Sequence, residues 1–264
     1  MRVHYMSDLH LEFAPAFDPP ETDVLVLAGD VTVARCLDDR FSDEAHRDVR
    51  ERTLAFFAMA RQRARLGVIY VTGNHEPYGY DINESQAILR NVLAGDGVHV
   101  LENEAVEFEG IALLCCTLWT DMDRRNPVAL QQIGTGLSDF HVIALGDATF
   151  TPSDAADLHD RSRAWLKDEL TRRSQQPCIV VTHHAPSYQG INPAHTGSPL
   201  NPGFASDLEE IIVENDNIRA WIFGHTHVRA RFEIAGSRIL SNAAGYPGRE
   251  RAGWNPDVSF TIAT

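Results

Sequence analysis

Short apolar runs alternate along the chain with stretches in which apolar residues recur every third or fourth position. Residues 3–6 and 24–28 predict two strands. From about 42 to 65 the spacing turns helical, with Val49, Leu54, Phe57 and Met59 recurring among Arg and Glu until Gly67 ends it. Residues 68–71 predict a β-branched strand, and Asp81 or Asn83 can cap a helix running to about Leu93. Three further strands are expected at 98–101, 105–108 and 111–118, the last two joined through a Glu109-Gly110 turn. Residues 121–151 read as a long irregular stretch. Thr151-Pro152-Ser153-Asp154 then opens a helix with Leu158, Trp165, Leu166 and Leu170 on its apolar face. A buried strand is expected at 179–181. Residues 186–203, with four prolines and three glycines, read as a loop able to act as a lid. The remainder predicts a helix at 208–213, a strand at 220–223 and a hairpin over 230–241 turning at Gly236. No linker, charge block or internal repeat divides the chain, so a single domain over residues 1–264 is expected.

Composition narrows the class. The chain has 264 residues, 44% hydrophobic and 23% charged, which suits a globular protein with one large core and excludes a low-complexity one. Its formal net charge of −14 argues against sequence-independent nucleic-acid binding, which relies on Lys and Arg neutralising phosphates. The same charge is compatible with a phosphate substrate, because bound cations reverse the local field. Cys36, Cys115, Cys116 and Cys178 show no Cys-x-x-Cys spacing and read as buried reduced thiols, which fits a cytoplasmic location. The first residues lack the layout of a signal peptide, and no apolar run approaches the ~18 residues needed to span a membrane.

Candidate chemistry sits where the predicted strands end. Asp8 and His10 follow the first strand, and Asp30 the second. Asn74 and His75 follow the third; His183 and His184 follow strand 179–181, and His225 and His227 follow strand 220–223. In open α/β sheets ligands bind at the carboxyl ends of strands, so groups remote in sequence can converge there. Asp8/His10 and His225/His227 are i, i+2 pairs, which in an extended chain point to one side and can grip one ion. On a helix they would diverge by roughly 200°. Asn74 and His75 are adjacent and aimed apart, so one can bind metal while the other faces substrate. Gly29, Gly73 and Gly224 allow sharp turns at these strand ends. Taken singly, each motif has an ordinary reading as a cap, a turn or a solvated pair. Their joint occurrence after five apolar strands points to one metal-binding site.

In this order, Asp8-x-His10, Gly29-Asp30, Gly73-Asn74-His75-Glu76, His183 and Gly224-His225-x-His227 resemble the motifs of the calcineurin-like metallophosphoesterases, most closely the small single-domain bacterial and phage type. The resemblance implies a four-layer α/β/β/α sandwich of two mixed β-sheets flanked by helices; the alternation of elements is compatible with that fold but does not single it out. It also implies two metal ions: Asp8, His10 and His227 on the first, Asn74, His183 and His225 on the second, and Asp30 bridging. His183 is preferred to His184 as ligand, and His184 is expected to line the pocket. His75 would face the substrate as the catalytic group beside the leaving oxygen. Many relatives continue Gly-Asp-x-x-Asp or Gly-Asp-x-x-Glu, whereas here Val31-Thr32-Val33 follows Asp30, for which altered tuning and no lost metal is expected.

The implied reaction is hydrolysis of a small phosphorylated substrate, as phosphomonoesterase or phosphodiesterase. A hydroxide shared by two cations would attack phosphorus in line. Mixed nitrogen and oxygen ligation without thiolate favours Mn, Fe, Zn or Co over Mg or Ca. The competing readings are a nuclease of the same superfamily and a non-catalytic metal-binding scaffold of the same fold. Specificity is expected to lie in residues 121–151 and 186–203.

Overall fold

Period-two alternation in the central strands sorts their side chains between two buried faces. In a computed structural model describing residues 1–15, 17–250 and 254–263, Val24, Val26 and Ala28 face one way and Leu25 and Leu27 the other. Ile179 and Val181 likewise oppose Cys178 and Val180, and Ala220 and Ile222 oppose Trp221 and Phe223.

Thirteen strands are present among the described residues: β1 (Arg2–Met6), β2 (Thr22–Ala28), β3 (Ala64–Val71), β4 (Val98–Leu101), β5 (Glu104–Phe108), β6 (Ile111–Cys116), β7 (Ala144–Leu145), β8 (Ala148–Thr149), β9 (Cys178–Thr182), β10 (Ile218–Phe223), β11 (Arg229–Ile234), β12 (Ser237–Asn242) and β13 (Ser259–Thr261). They form a five-stranded sheet ordered β13-β1-β2-β3-β4 and a six-stranded sheet ordered β11-β12-β10-β9-β6-β5, while β7 and β8 make a small hairpin. Strands β1 to β4 run parallel, and so do β12, β10, β9 and β6; β13, β11 and β5 pair antiparallel at the edges.

Val3, Val26 and Ile69 of the first sheet meet Leu113, Val181 and Ile222 of the second in the sandwich interior. The outer face of the first sheet is covered through Phe56, Phe57 and Ala60 of helix Glu44–Arg63 and Leu89 and Leu93 of helix Ile82–Leu93. Leu166 and Leu170 of helix Pro152–Arg172, with Ile211 and Ile212 of helix Glu209–Glu214, cover the second. The result is the four-layer α/β/β/α sandwich. All four cysteines are free and buried, and among the described residues no helix is long and apolar enough to cross a membrane.

Local start signals operate as their chemistry requires. Asp81 Oδ1 accepts from the Asn83 and Glu84 amides at 2.8 and 3.0 Å, so the cap is Asp81. Thr151 and Asp154 form a reciprocal capping box. The helix at 44–63 buries a different stripe from the expected one: Val49, Thr53, Phe56, Phe57 and Ala60. Leu54 is 36% exposed, because five residues beyond Val49 places it roughly 140° around the helix.

Residues 121–151 are more ordered than their sequence suggests. Helix Pro127–Gly136, the turn Asp139–Val142 and the β7–β8 hairpin pack around Ile133, Phe140 and Phe150 against Trp119 and Ala155. Gly134 and Gly136 read as breakers in isolation, and it is burial against the 152–172 helix that stabilises this element. Strand β6 stops at Cys116, since Leu118 and Trp119 take left-handed backbone at φ 72° and 51°. The edge strand β13 went unanticipated because three residues, two of them exposed, carry no periodicity.

Candidate metal centre

The carboxyl ends of β1, β2 and β3 and those of β9 and β10 open at the same edge of the sandwich, and the loops that follow are hydrogen-bonded to one another. The Asp8 amide donates to Gly29 O at 2.9 Å, and Gly224 N to His183 O at 2.9 Å. Asp8, His10, Asp30 and His227 bring ligand-capable atoms within 4.8 Å of one another, and so do Asp30, His183 and His225. Asp30 belongs to both groups. Asn74 joins the second, its Oδ1 2.9 Å from His183 Nε2.

The i, i+2 pairs meet by a route other than the extended chain expected. Asp8 and His10 have φ of 55° and 48°, His225 and His227 of 65° and 50°, and Asp30 of 54°. All five lie in the left-handed region, which costs a side chain with a Cβ of order 1–3 kcal/mol each and persists only where the surroundings impose it. Here backbone amides are tied down around them. His10 N donates to Asp30 O at 3.0 Å, and His225 N to Asp8 Oδ1 at 3.0 Å. Of the three glycines read as turn formers, only Gly29 has a positive φ, +88°. Gly73 and Gly224 serve close approach: a Cβ would fall 2.2 Å from Asp30 Oδ1 at the first and 2.7 Å from Ala28 O at the second.

Hydrogen bonds at the far side of each ring decide which nitrogen faces the cluster. His183 Nδ1 donates to Ala28 O at 2.9 Å, His10 Nδ1 to Glu12 Oε1 at 3.0 Å, and His227 Nδ1 to Glu250 Oε2 at 2.5 Å. Their Nε2 lone pairs are thereby aimed inward. His10 Nε2 and His227 Nε2 stand 3.3 Å apart, and His227 Nε2 is 3.3 Å from Asp8 Oδ1. His183 Nε2 lies 3.4 Å from Asp30 Oδ1, and His225 Nε2 is buried with no hydrogen-bond partner. Lone pairs and carboxylate oxygens converging at these distances repel unless protons or cations lie between them. A nitrogen and oxygen donor set with a carboxylate common to two groups fits a pair of transition-metal ions.

The same field appears in the acidities. Burial pushes the His183 imidazole down, but Asp30 and Asp8 outweigh it and raise it to about 10. His227 rises to about 9, burial again being overcome by Asp8 and Glu250. His225 is held well below the usual histidine range by burial and by His184 and His183, so it is neutral and ready to coordinate. The Asp30 carboxyl is held well below its usual range: burial opposes ionisation, and His183 and His75 overcome it.

A cavity of about 370 Å³ opens over the cluster, with Asp30, Asn74, His75, His225 and His227 on its floor. Leu137 and Asp139 from one expected specificity segment and Ile191, His195 and Leu200 from the other form its walls, together with Phe204, Tyr246 and Glu250. Residues 186–203, expected as a loop, run as three short 3-10 turns over this opening. His75 faces the cavity with Nε2 2.9 Å from the Tyr246 hydroxyl, its ring stacked 4.1 Å from Tyr78. His184 is not part of the lining. It is buried behind His225, at 4.3 Å between ring centres, with Nδ1 3.2 Å from Thr117 O.

Several residues of the site carry no sequence signal of their own role. Glu76 is fully buried and accepts from Asp30 N, Val31 N, Gly73 N and Tyr70 Oη. Asp139 accepts from Asn74 Nδ2 at 2.8 Å and from the Tyr78 hydroxyl, which turns the Asn74 oxygen toward His183. Glu76 stood in the Gly73-Asn74-His75-Glu76 motif; Glu12, Asp139 and Glu250 lay outside the motifs.

Residues 1–229 match the calcineurin-like phosphoesterase family. The chain is 26% identical to an uncharacterized protein of Acanthamoeba polyphaga mimivirus, over 99% of this chain and 97% of that relative. Among solved structures it is similar to phosphopantetheinyl hydrolase from Mycobacterium tuberculosis, with TM-score 0.65, 17% identity, and coverage of 95% of this chain and 92% of that one. A dimetal phosphatase from Danio rerio is similar at TM-score 0.52 and 14% identity, over 91% of this chain and 86% of that one. At these identities the likeness to solved structures concerns the fold.

Proposed function

Because the chain belongs to the calcineurin-like phosphoesterases, we propose that it hydrolyses esters of small phosphorylated compounds at a centre of two metal ions. In this reading Asp8, His10 and His227 would hold one ion and Asn74, His183 and His225 the other, with Asp30 available to both. The observation that carries it is the set of inward-aimed Nε2 atoms around one shared carboxylate, with His225 Nε2 buried and unpartnered. When bound, such a pair supplies a nucleophile from water at neutral pH and neutralises charge on the phosphoryl oxygens.

The chain's own groups do the rest. Asp139 fixes the Asn74 amide so that its oxygen faces the cluster, and Glu76 holds the backbone that carries Asp30 and Gly73. His75 presents Nε2 to the cavity at the place where a leaving oxygen would accept a proton or a hydrogen bond. Leu137, Ile191, Leu200 and Phe204 give the alcohol portion of the substrate an apolar wall, and a volume of about 370 Å³ suits a small organic ester. The donor set suits Mn, Fe, Zn or Co.

Protein loaded separately with each of these metals, assayed on aryl phosphate monoesters and diesters, tests the reading. Asp30→Asn should abolish turnover and reduce bound metal from two equivalents to one or none. Wild-type activity in that variant would remove Asp30 from the centre and with it the two-ion reading.

A further inference from the structure

Glu12 is a buried carboxylate that the ligand set above leaves without a task. Its side chain is 8% exposed, with Oε1 3.0 Å from His10 Nδ1 and 3.4 Å from His75 Nδ1. Oε2 is buried with no hydrogen-bond partner, so both histidines address the same oxygen. The two imidazoles meet edge to face, 4.5 Å between centres at 70°. Tyr246 stacks on His10 at 4.6 Å, and Tyr78 on His75 at 4.1 Å, so neither ring turns without losing a stacked neighbour.

We infer that Glu12 is a positioning residue shared by the metal cluster and the substrate cavity, accepting Nδ1–H from His10 and from His75 at one oxygen. An ionised carboxylate only accepts, so both Nδ1 atoms must donate to it. That leaves His10 Nε2 bare toward Asp30 and His227 and turns His75 Nε2 to the cavity, where the Tyr246 hydroxyl meets it; to serve a leaving oxygen, His75 must carry a second proton on Nε2, as an imidazolium, while its Nδ1–H stays on Glu12. Metal retention and the orientation of the leaving-group histidine are therefore coupled through a single side chain. A carboxylate that merely filled space would not choose the tautomer of either ring. The part assigned to His75 rests on the phosphoesterase reading; the tautomers do not.

Glu12→Gln keeps the volume and one acceptor oxygen but removes the charge, and Glu12→Leu removes both. In zinc-loaded, 15N-labelled wild-type protein, long-range proton–nitrogen spectra should show His10 and His75 with the proton on Nδ1. Glu12→Leu should release His75 to the Nε2–H form or a mixture. Glu12→Gln should weaken zinc binding by roughly 10–100-fold. It should also steepen the loss of rate as the leaving group of a series of aryl phosphates becomes more basic, and sharing requires both changes in this one variant. A change in only one of them overturns the shared role, as does a His75 that keeps Nδ1–H in the leucine variant. Wild-type protein that binds zinc yet cleaves no ester would defeat the phosphoesterase reading and leave the spectra to decide Glu12 alone.

Discussion

Replacing Glu76 tests the framework beneath the metal centre. Oε2 accepts from Asp30 N at 3.2 Å and Gly73 N at 2.6 Å, while Oε1 accepts from Val31 N at 2.8 Å and the Tyr70 hydroxyl at 2.6 Å. Glu76→Ala strands three backbone N–H groups and one hydroxyl in a site of zero exposure. At about 1–3 kcal/mol for each unsatisfied group, the naive sum is comparable to the whole stability of an ordinary domain, ~5–15 kcal/mol. The alanine variant should therefore fail to hold a native site. Glu76→Gln is gentler, and the geometry says how. Its NH2 cannot sit at the Oε2 position, opposite two amide donors. At the Oε1 position the Tyr70 hydroxyl can rotate to accept, which leaves only Val31 N unsatisfied. One lost bond of this kind costs about 1–3 kcal/mol. Burial and the neighbouring Asp30 push the Glu76 carboxyl up to about 7, so losing its charge near neutral pH offsets part of that cost. Urea unfolding of metal-loaded protein, with the metal content of the same samples, measures both. An alanine variant with the wild-type midpoint and full metal would refute the idea that Glu76 holds Asp30 and Gly73 in place.

Other outcomes follow from particular contacts. Gly73→Ala should cost bound metal and most of the activity, because its Cβ would lie 2.2 Å from Asp30 Oδ1 and 2.7 Å from the His183 ring; metal analysis with retained stoichiometry would refute the clash. His75→Ala should keep its metal and lose rate by ~10²–10⁴-fold if it protonates the leaving oxygen, and loss of metal would make it a ligand. Chelation should lower the thermal midpoint, because Asp8 and Asp30 are buried carboxylates that bound cations neutralise. Free metal at a hundredfold excess over its dissociation constant contributes about 2.7 kcal/mol for one site, so an unchanged midpoint in chelator would mean no metal binds.

The strand ends, the helix starts at Asp81 and Thr151 and the clustering of His, Asp and Asn after five strands were all readable in the chain, because alternation, capping and turn chemistry act over a few residues. The left-handed backbone at Asp8, His10, Asp30, His225 and His227 was not. Those φ values are imposed by amides donated to and from other strand ends, and no local propensity of Asp or His demands them. Glu76 was in view within its motif and Glu12 was not, and their partners, the amides of Asp30 and Val31 and the His75 ring, lie tens of positions away. The 127–136 helix, inside a stretch expected to be irregular, owes its burial to Trp119 and the 152–172 helix, partners outside the stretch itself.

Local sterics and solvation thus determined, from sequence alone, the central strands and the longer helices and the side chains that follow the strands, but not the 127–136 helix or the edge strand β13. The tertiary structure put Asp30 within reach of both candidate groups, and only it decided which nitrogen each imidazole turns inward and that Asp139 and Glu250 reach the site. These depend on the relative placement of β1, β2 and β3 against β9 and β10, and that placement is settled by packing across the sandwich.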